Sequence, residues 1–474
     1  MTVNYFIKCP TCGTVTRMRS PAGYVYRTPV RIHCGKCNTL LTGEFISDNE
    51  KIKAYYTPSN CEQVNFQEYD YYGEASGELL CHKIEYIPGT GMDLPPTLSP
   101  VFAFMDSMNQ CDKDNFINFI CYCDVLNRNW DNEQIKYKLY KDKQIEFIKT
   151  KFGEPAEKCG YRLDSDFDVL RYIYYSLFFD CGGIFKEKNI QDKLVEINRH
   201  FRHLDKTALA DFISELDRSS RLSLAQDKIF EIFFAFVQIS MNLAPAIGAN
   251  QYNDCSGINK EQLGLTTCTF TDIKQFYQDT YESLLESSDI VIGLDNIEMR
   301  GSYDSFAKKL NMAKFRGQAK GNRVTFLNQD EFFSREFNMM SDANELRNAI
   351  GHNDYTYTGI TQALDYAVRS KGINKQAYLL DIAIECVQLM QSAYILCFYI
   401  YELYRYKQRV KDESLVLNII FYRKTKNQDR CPCGSRKKYK DCCKSMIETY
   451  KKKQNRKYPH ESGMTMTAPS WWKE

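Results

Sequence analysis

Two kinds of residue spacing in this chain could do chemistry. The first is Arg347, Asn348 and His352 in the run ELRNAIGHNDYTYTG. A histidine titrates near neutrality, at about 6.5, so it can take the proton from a ribose 2′-hydroxyl. A guanidinium can hold the charge that builds on phosphorane oxygens through two parallel hydrogen bonds. Asn348 would orient the histidine or the phosphate. Such a set would cut RNA without a metal ion, leave a 2′,3′-cyclic phosphate, and spare DNA for want of the 2′-hydroxyl. The second kind is thiol clustering. Cys9/Cys12 and Cys34/Cys37 are two C-x-x-C pairs 21 residues apart, and Cys431, Cys433, Cys442 and Cys443 form C-x-C-x8-C-C. Four thiolates complete the closed tetrahedral shell of structural zinc. The expected cofactors are therefore two structural Zn2+, with none catalytic, because a closed shell leaves no open position.

The elements that must position these residues are legible in outline. SDANELRNAI reads as a helix capped by Ser341 or Asp342, with Glu345 in its first turn and an exit at Gly351. Arg347 and His352 would then come within reach of one phosphate if the helix opens at Gly351. Thr271 or Asp272 caps a preceding helix. Asn374 to Tyr406 is the longest helical candidate, with Leu380, Ile384, Val387, Tyr394, Phe398 and Tyr401 on one stripe. In the N-terminal cluster, Gly13 and Gly35 are expected to supply the positive φ of each knuckle turn. Arg17, Arg19, Arg27 and Arg31 between the knuckles make a recognition role plausible, and His33 is a surplus neighbour rather than a ligand. His82, His200, His203 and His460 lack a comparable setting. Arg199, His200, Arg202 and His203 read as a solvated helix face.

The 474 residues allow roughly two to four domains, with ample apolar content for a large core. The net charge is only +2, yet residues 423–457 carry about +11 and the remainder about −9. A basic tail on a mildly acidic body suits contact with RNA, by counterion release. Eleven of the 19 cysteines fall outside the two clusters, and Cys121, Cys123, Cys386 and Cys397 read as reduced thiols. The start, MTVNYFIKCPTC, has no apolar export segment, so the expected location is cytoplasmic, with no membrane partner. Ile229 to Ala249 is interrupted by Glu231, Gln238, Asn242 and Pro245 and reads as a buried helix. No GxxxxGK[ST] loop is present, which argues against ATP hydrolysis.

Two resemblances add to this reading. CPCGSRKKYKDCC resembles the SEC-C motif, first seen at the tail of the bacterial protein-export motor, through its four cysteines, Gly434, Ser435 and Lys437-Lys438-Tyr439-Lys440. Arg436 stands where that family usually has a second glycine. The resemblance implies a docking element for proteins, with a basic surface that could reach RNA. Arg347-Asn348-x-x-x-His352, in its helical context over residues 270–405, resembles the motif of HEPN (higher eukaryote and prokaryote nucleotide-binding) domains. That family implies a helical bundle and a ribonuclease in which two motifs face each other across a homodimer. It also implies a toxin-like role in bacterial phage defence by abortive infection. Some relatives carry a tyrosine two residues after the histidine; here that position is Asp354 and Tyr355 follows, so no tyrosine role is carried over.

The expected architecture is mainly α. Residues 1–50 form a zinc ribbon, 51–98 a β-rich or linker extension and 99–265 a helical middle domain. Residues 266–410 form a HEPN-like bundle, 411–446 the SEC-C zinc knuckle and 447–474 a basic flexible tail. The expected function is an RNA endonuclease, with RNA as substrate and a protein trigger or ribosome-associated partner. The alternative is a non-enzymatic RNA- or protein-binding adaptor that uses the bundle only to dimerise.

Overall fold

Alternating apolar residues in the first 90 positions form strands, and the cysteine knuckles fall at the turns between them. A computed structural model describes residues 2–48, 53–65, 68–90 and 106–411, apart from 160, 162, 255, 308–309, 340–342 and 370, together with 426–429, 437–441, 444–445 and 448. Strands β1 (Thr2–Lys8) and β2 (Val15–Pro21) make one hairpin, and β3 (Arg27–His33) and β4 (Leu40–Asp48) a second. β5 (Lys53–Pro58) extends the second hairpin to three strands. β6 (Glu62–Val64), β7 (Tyr69–Glu74) and, beyond the short β8 (Cys81–His82), β9 (Glu85–Gly89) join the first in the order β6-β1-β2-β7-β9. Tyr5, Ile7, Met18, Val30, Ile32, Phe45 and Tyr56 fill the space between these sheets. The β unit therefore runs to Gly89: residues 53–89 belong to the same fold as the knuckles, not to a linker, because their strands pair with β1, β2 and β4. The Gly- and Pro-rich run at 91–105 lies outside the described residues.

From residue 110 the chain is helical: α1 (Gln110–Arg128), α2 (Trp130–Lys141), α3 (Ile145–Lys158), α4 (Asp166–Leu177), α5 (Glu187–His203), α6 (Lys206–Arg218) and α7 (Arg221–Ala249). After β10 (Leu263–Gly264) come α8 (Phe270–Glu286), α9 (Ser288–Arg300), the short α10 (Met312–Arg316) and α11 (Lys320–Arg323), α12 (Phe332–Phe337) and α13 (Ala343–Gly351). A meander of β11 (Tyr355–Thr358), β12 (Ala363–Val368) and β13 (Ile373–Tyr378) leads into α14 (Leu379–Lys411). Helices make up 55% of the described residues, so the fold is mainly α. α14 starts at Leu379 rather than Asn374, because Asn374–Tyr378 pairs with β12. It is apolar nearly all round: Leu379, Ile382, Ala383, Cys386, Met390 and Leu403 are buried alongside the expected stripe, from which Ile384 alone is half-exposed. That is the signature of a central helix.

One apolar core runs from Phe116 through Phe236 and Leu284 to Leu403. The division expected near residue 265 does not separate two cores, because α7 packs directly against α14 and α8. By length and composition Arg221–Ala249 and Leu379–Gln408 could each cross a bilayer; here they are the mutually packed centre of the molecule. No disulfide joins the described cysteines, and Cys123, Cys386 and Cys397 are buried thiols in this core, with Cys121 half-buried. His200 is not on a solvated face. Its ring stacks on Phe332 and it hydrogen-bonds Glu298.

Asp295 anchors α12 to α9. Fully buried, it accepts from the Phe333 N–H at 2.8 Å, the Ser334 N–H at 3.0 Å and Ser334 Oγ at 2.6 Å. Burial pushes its carboxyl from the ordinary 3.8 up to about 7, against the pull of these donors. The folded state thus holds the proton more tightly than the unfolded chain. The stability linked to it is complete below about pH 3.8 and is lost as pH rises through about 7. Asp295→Asn should therefore flatten the pH dependence of the melting temperature across that window. An unchanged slope in the variant would refute the assignment.

Candidate functional site: a thiol cluster and the helix bearing Arg347

Each N-terminal knuckle closes a β-hairpin in the same way. Gly13 N–H donates to the Cys9 carbonyl and Cys9 N–H to the Thr14 carbonyl, all at 2.9 Å; Asn38 and Cys34 repeat the pattern with Cys34 and Thr39 at the same distance. The left-handed residue is Gly13 (φ 73°) in the first knuckle and Asn38 (φ 60°) in the second. Gly35 does not supply the positive φ expected of it. It is required for another reason: a Cβ there would lie 2.3 Å from the Tyr71 ring, which packs on the knuckle backbone. Gly35→Ala should accordingly lower the melting temperature of the β unit and loosen metal binding, by a shift equivalent to about 1–3 kcal/mol. Wild-type melting and metal affinity in the variant would contradict that contact.

The four sulfurs of Cys9, Cys12, Cys34 and Cys37 lie within 4.8 Å of one another. Cys9 Sγ to Cys37 Sγ and Cys12 Sγ to Cys34 Sγ are both 3.6 Å. A metal with bonds of about 2.3 Å to four tetrahedral sulfurs has edges of about 3.8 Å, so the cluster fits a four-thiolate metal ion such as zinc. Cys9 and Cys34 are buried, while Cys12 and Cys37 are half-exposed, with the Thr14 and Thr39 hydroxyls 3.2 Å from their sulfurs. Burial pushes Cys34 up to about 12, whereas hydrogen bonding to Thr39 brings Cys37 down to about 6. A divalent cation supplies the charge that lets all four ionise together. Arg17 and Arg31 are tied into the fold: Arg17 donates to Tyr69 Oη and Asn4 Oδ1, each at 3.2 Å, and Arg31 to the Val30 and Gly43 carbonyls. His33 is no ligand. Its Nδ1 is 3.0 Å from the Asn38 carbonyl, and its ring covers Gly359 in the β11–β12 turn, where a Cβ would come within 2.2 Å.

α13 packs along α8. Ser341 and Asp342 lie outside the described residues, but the other end of the helix is clear. It continues through Gly351, and the left-handed residue is Asn353 (φ 56°). Asn353 N–H donates to the Ile350 carbonyl and Asp354 N–H to the Ala349 carbonyl, the pattern of a Schellman cap. The helix therefore does not open at Gly351, and His352 follows it directly as an exposed residue. Arg347 lies on the flank, with its side chain only 16% exposed. Its Nη2 is 2.9 Å from Glu282 Oε1 on α8, its Nη1 donates to Asn348 Oδ1 at 2.8 Å, and its guanidinium carbon sits 5.4 Å from the Tyr281 ring centre. Asn348 touches both partners, since its carbonyl accepts from the His352 N–H at 3.0 Å. No hydrogen bond joins the side chains of Arg347 and His352; five residues of helix set them about 140° apart and roughly 7.5 Å along the axis.

Sequence reasoning missed four residues here. Glu282 and Lys320 complete the charge network around Arg347, with Lys320 Nζ 3.3 Å from Glu282 and 3.6 Å from Glu286. Tyr281 and Glu385 contribute buried polar atoms. Tyr281 Oη, Glu385 Oε2, Asn344 Oδ1 and Arg347 Nε have no hydrogen-bond partner among the described residues. Burial pushes the Glu385 carboxyl up, opposed by a hydrogen bond from Tyr277. Buried atoms without partners cost about 1–3 kcal/mol each, and four of them gather around this helix. Only long-range packing brings α8, α11, α13 and α14 together, so no local spacing could have announced these residues.

The SEC-C motif matches residues 429–445. SEC-C is a zinc-binding motif, and it contains the second cysteine set. Cys431, Cys433, Cys442 and Cys443 lie outside the described residues. Around them the Tyr439 N–H donates to the Asp429 carbonyl at 2.8 Å, Lys440 N–H donates to the Asn427 carbonyl at 3.2 Å, and Tyr439 is buried. No curated protein and no solved structure gives a significant match to the chain.

Proposed function

We propose that this chain is a metal-independent endoribonuclease of the HEPN type, with His352, Arg347 and Asn348 as its catalytic set. One observation carries the reading: the two acids nearest the motif in sequence, Glu345 and Asp354, are engaged elsewhere. Glu345 pairs with Lys371 and Lys375, at 2.6 and 2.7 Å, and Asp354 pairs with Arg369 at 2.5 Å. His352 is left at the exposed helix end, while Arg347 is held in a polar recess by a different helix.

In the proposed reaction the 2′-oxygen attacks phosphorus and its proton passes to an imidazole. The bond from phosphorus to the 5′-oxygen breaks, and the departing oxygen takes a proton from an acid. A 2′,3′-cyclic phosphate and a 5′-hydroxyl result. Arg347 would stabilise the phosphorane, and Asn348 would hold the spacing between the two. Because one motif offers a single titrating histidine, a second copy facing it in a homodimer would supply the other proton-transfer group. The two four-cysteine sites would serve as structural zinc centres, and the basic SEC-C segment would dock RNA or a ribosome-associated protein. A cytoplasmic effector of phage defence, held off until triggered, is the biological setting we propose.

The test is incubation of purified protein with single-stranded RNA and DNA in buffer freed of divalent ions by brief chelation, with zinc content checked afterwards. RNA cleavage with cyclic-phosphate ends and intact DNA is the expected result. Cleavage that needs added magnesium, or that includes DNA, would overturn it. The basic segment at 423–457 favours the adaptor as second reading, in which RNA binds but is not cut.

A further inference from the structure

We infer that Glu282 is an intramolecular stand-in for the substrate phosphate, so that the described conformation is a resting state in which Arg347 is occupied. This rests on the ribonuclease reading for its meaning, though its test does not need cleavage.

A guanidinium grips a phosphate by presenting two parallel N–H donors. In Arg347 both terminal nitrogens are engaged, Nη2 by Glu282 Oε1 at 2.9 Å and Nη1 by Asn348 Oδ1 at 2.8 Å, and Nε is buried. The ring of Tyr281 covers one face. Glu282 is 33% exposed against 16% for Arg347, so of the two side chains the acid is the more open to solvent. A phosphate approaching from solvent meets that negative charge first. It can take the two-point grip only by displacing the carboxylate.

Lys320 gives the displaced carboxylate somewhere to go. Its ammonium is already 3.3 Å from Glu282, is 42% exposed, and sits on α11, a single helical turn. Moving Glu282 from Arg347 to Lys320 keeps the carboxylate paired and opens the Nη2 side of the guanidinium to a phosphate, which then supplies the pairing charge. A trigger that draws α11 toward solvent, or a phosphate that competes directly, would switch the site by the same exchange of partners. Glu286, 3.6 Å from Lys320, competes with Glu282 for that ammonium and favours the resting pairing.

The experiment measures binding of a single-stranded RNA oligonucleotide by fluorescence anisotropy, in a His352→Ala background that prevents turnover. Glu282→Gln keeps the size and one acceptor oxygen but removes the charge; Glu282→Ala removes the group. Both should tighten binding by roughly tenfold, about 1.4 kcal/mol, and adding Arg347→Ala should abolish the gain. Melting curves establish that each variant is folded. Unchanged or weaker binding in folded Glu282→Gln and Glu282→Ala would overturn the inference and make Glu282 a residue that merely positions Arg347. Tightening that persists without Arg347 would overturn it as well. Failure of the wild-type protein to cut RNA would count against the ribonuclease reading and leave this binding result standing on its own.

Discussion

Replacing His352 with alanine should reduce RNA cleavage by about 10²–10⁴-fold, the contribution of a positioned acid–base group. The change should leave the melting temperature within about 1 °C, because the side chain is exposed and its backbone hydrogen bond to Asn348 persists. Arg347→Ala should cost a further separable factor of roughly 10²–10³ through lost stabilisation of the phosphorane. Arg347→Lys should not rescue it, since an ammonium is a point charge and cannot form the fork. Single-turnover cleavage of a defined RNA, with zinc content verified, measures both effects. A wild type that cuts while His352→Ala cuts equally well would remove the histidine from the mechanism.

Loss of the N-terminal metal should be larger still in energy, on the order of 10 kcal/mol, because the unfolded chain has no preformed site. Cys34→Ser is the sharpest probe. Cys34 is completely buried and follows directly on β3, whose Val30 and Ile32 pack into the inter-sheet core. Hydrogen exchange should show residues 2–89 losing protection while α7 and α14 keep theirs. Metal analysis should show the stoichiometry falling by one. Acid should act in the same direction as the mutation, since protons compete with the metal for the thiolates, so affinity falls as pH falls. A Cys34→Ser protein that keeps both its metal and its protection in β1–β4 would mean that the cluster is not a metal centre.

The sequence disclosed what chemistry demands and concealed what packing decides. Thiol spacing is nearly a direct statement of coordination, so both cysteine sets could be read from the sequence, and the first closes to metal-binding distance. Which residue of each knuckle turns left-handed is a backbone matter. Asn38, not Gly35, does so, and Gly35 is kept small by a ring from a strand 36 residues later. α14 was legible from its apolar density, but its start was blurred, because INKQAY is polar enough to pass for an exposed first turn and becomes a strand only by pairing with ALDYAV. α8 is capped at Thr269, whose N–H and hydroxyl both donate to Asp272, two residues ahead of the expected position. The Arg347-to-His352 spacing could be found; Glu282 and Lys320 could not, since they reach the motif across the fold.

The contact between the β unit and the helical body changes how deletions should be read. β8 pairs with β10, the Arg31 N–H donates to the Thr266 carbonyl at 2.7 Å, and Lys83 donates to the Lys260 and Thr361 carbonyls at 2.8 and 2.6 Å. With His33 seated over Gly359, these bonds clamp the turn of the meander that begins three residues after His352. The two halves thus behave as one part that cannot be cut along its seam. A truncation that removes the first 89 residues strips the meander of its buttress and leaves buried backbone groups bare, so an inactive fragment would report mechanical damage at the motif rather than loss of an RNA-reading module.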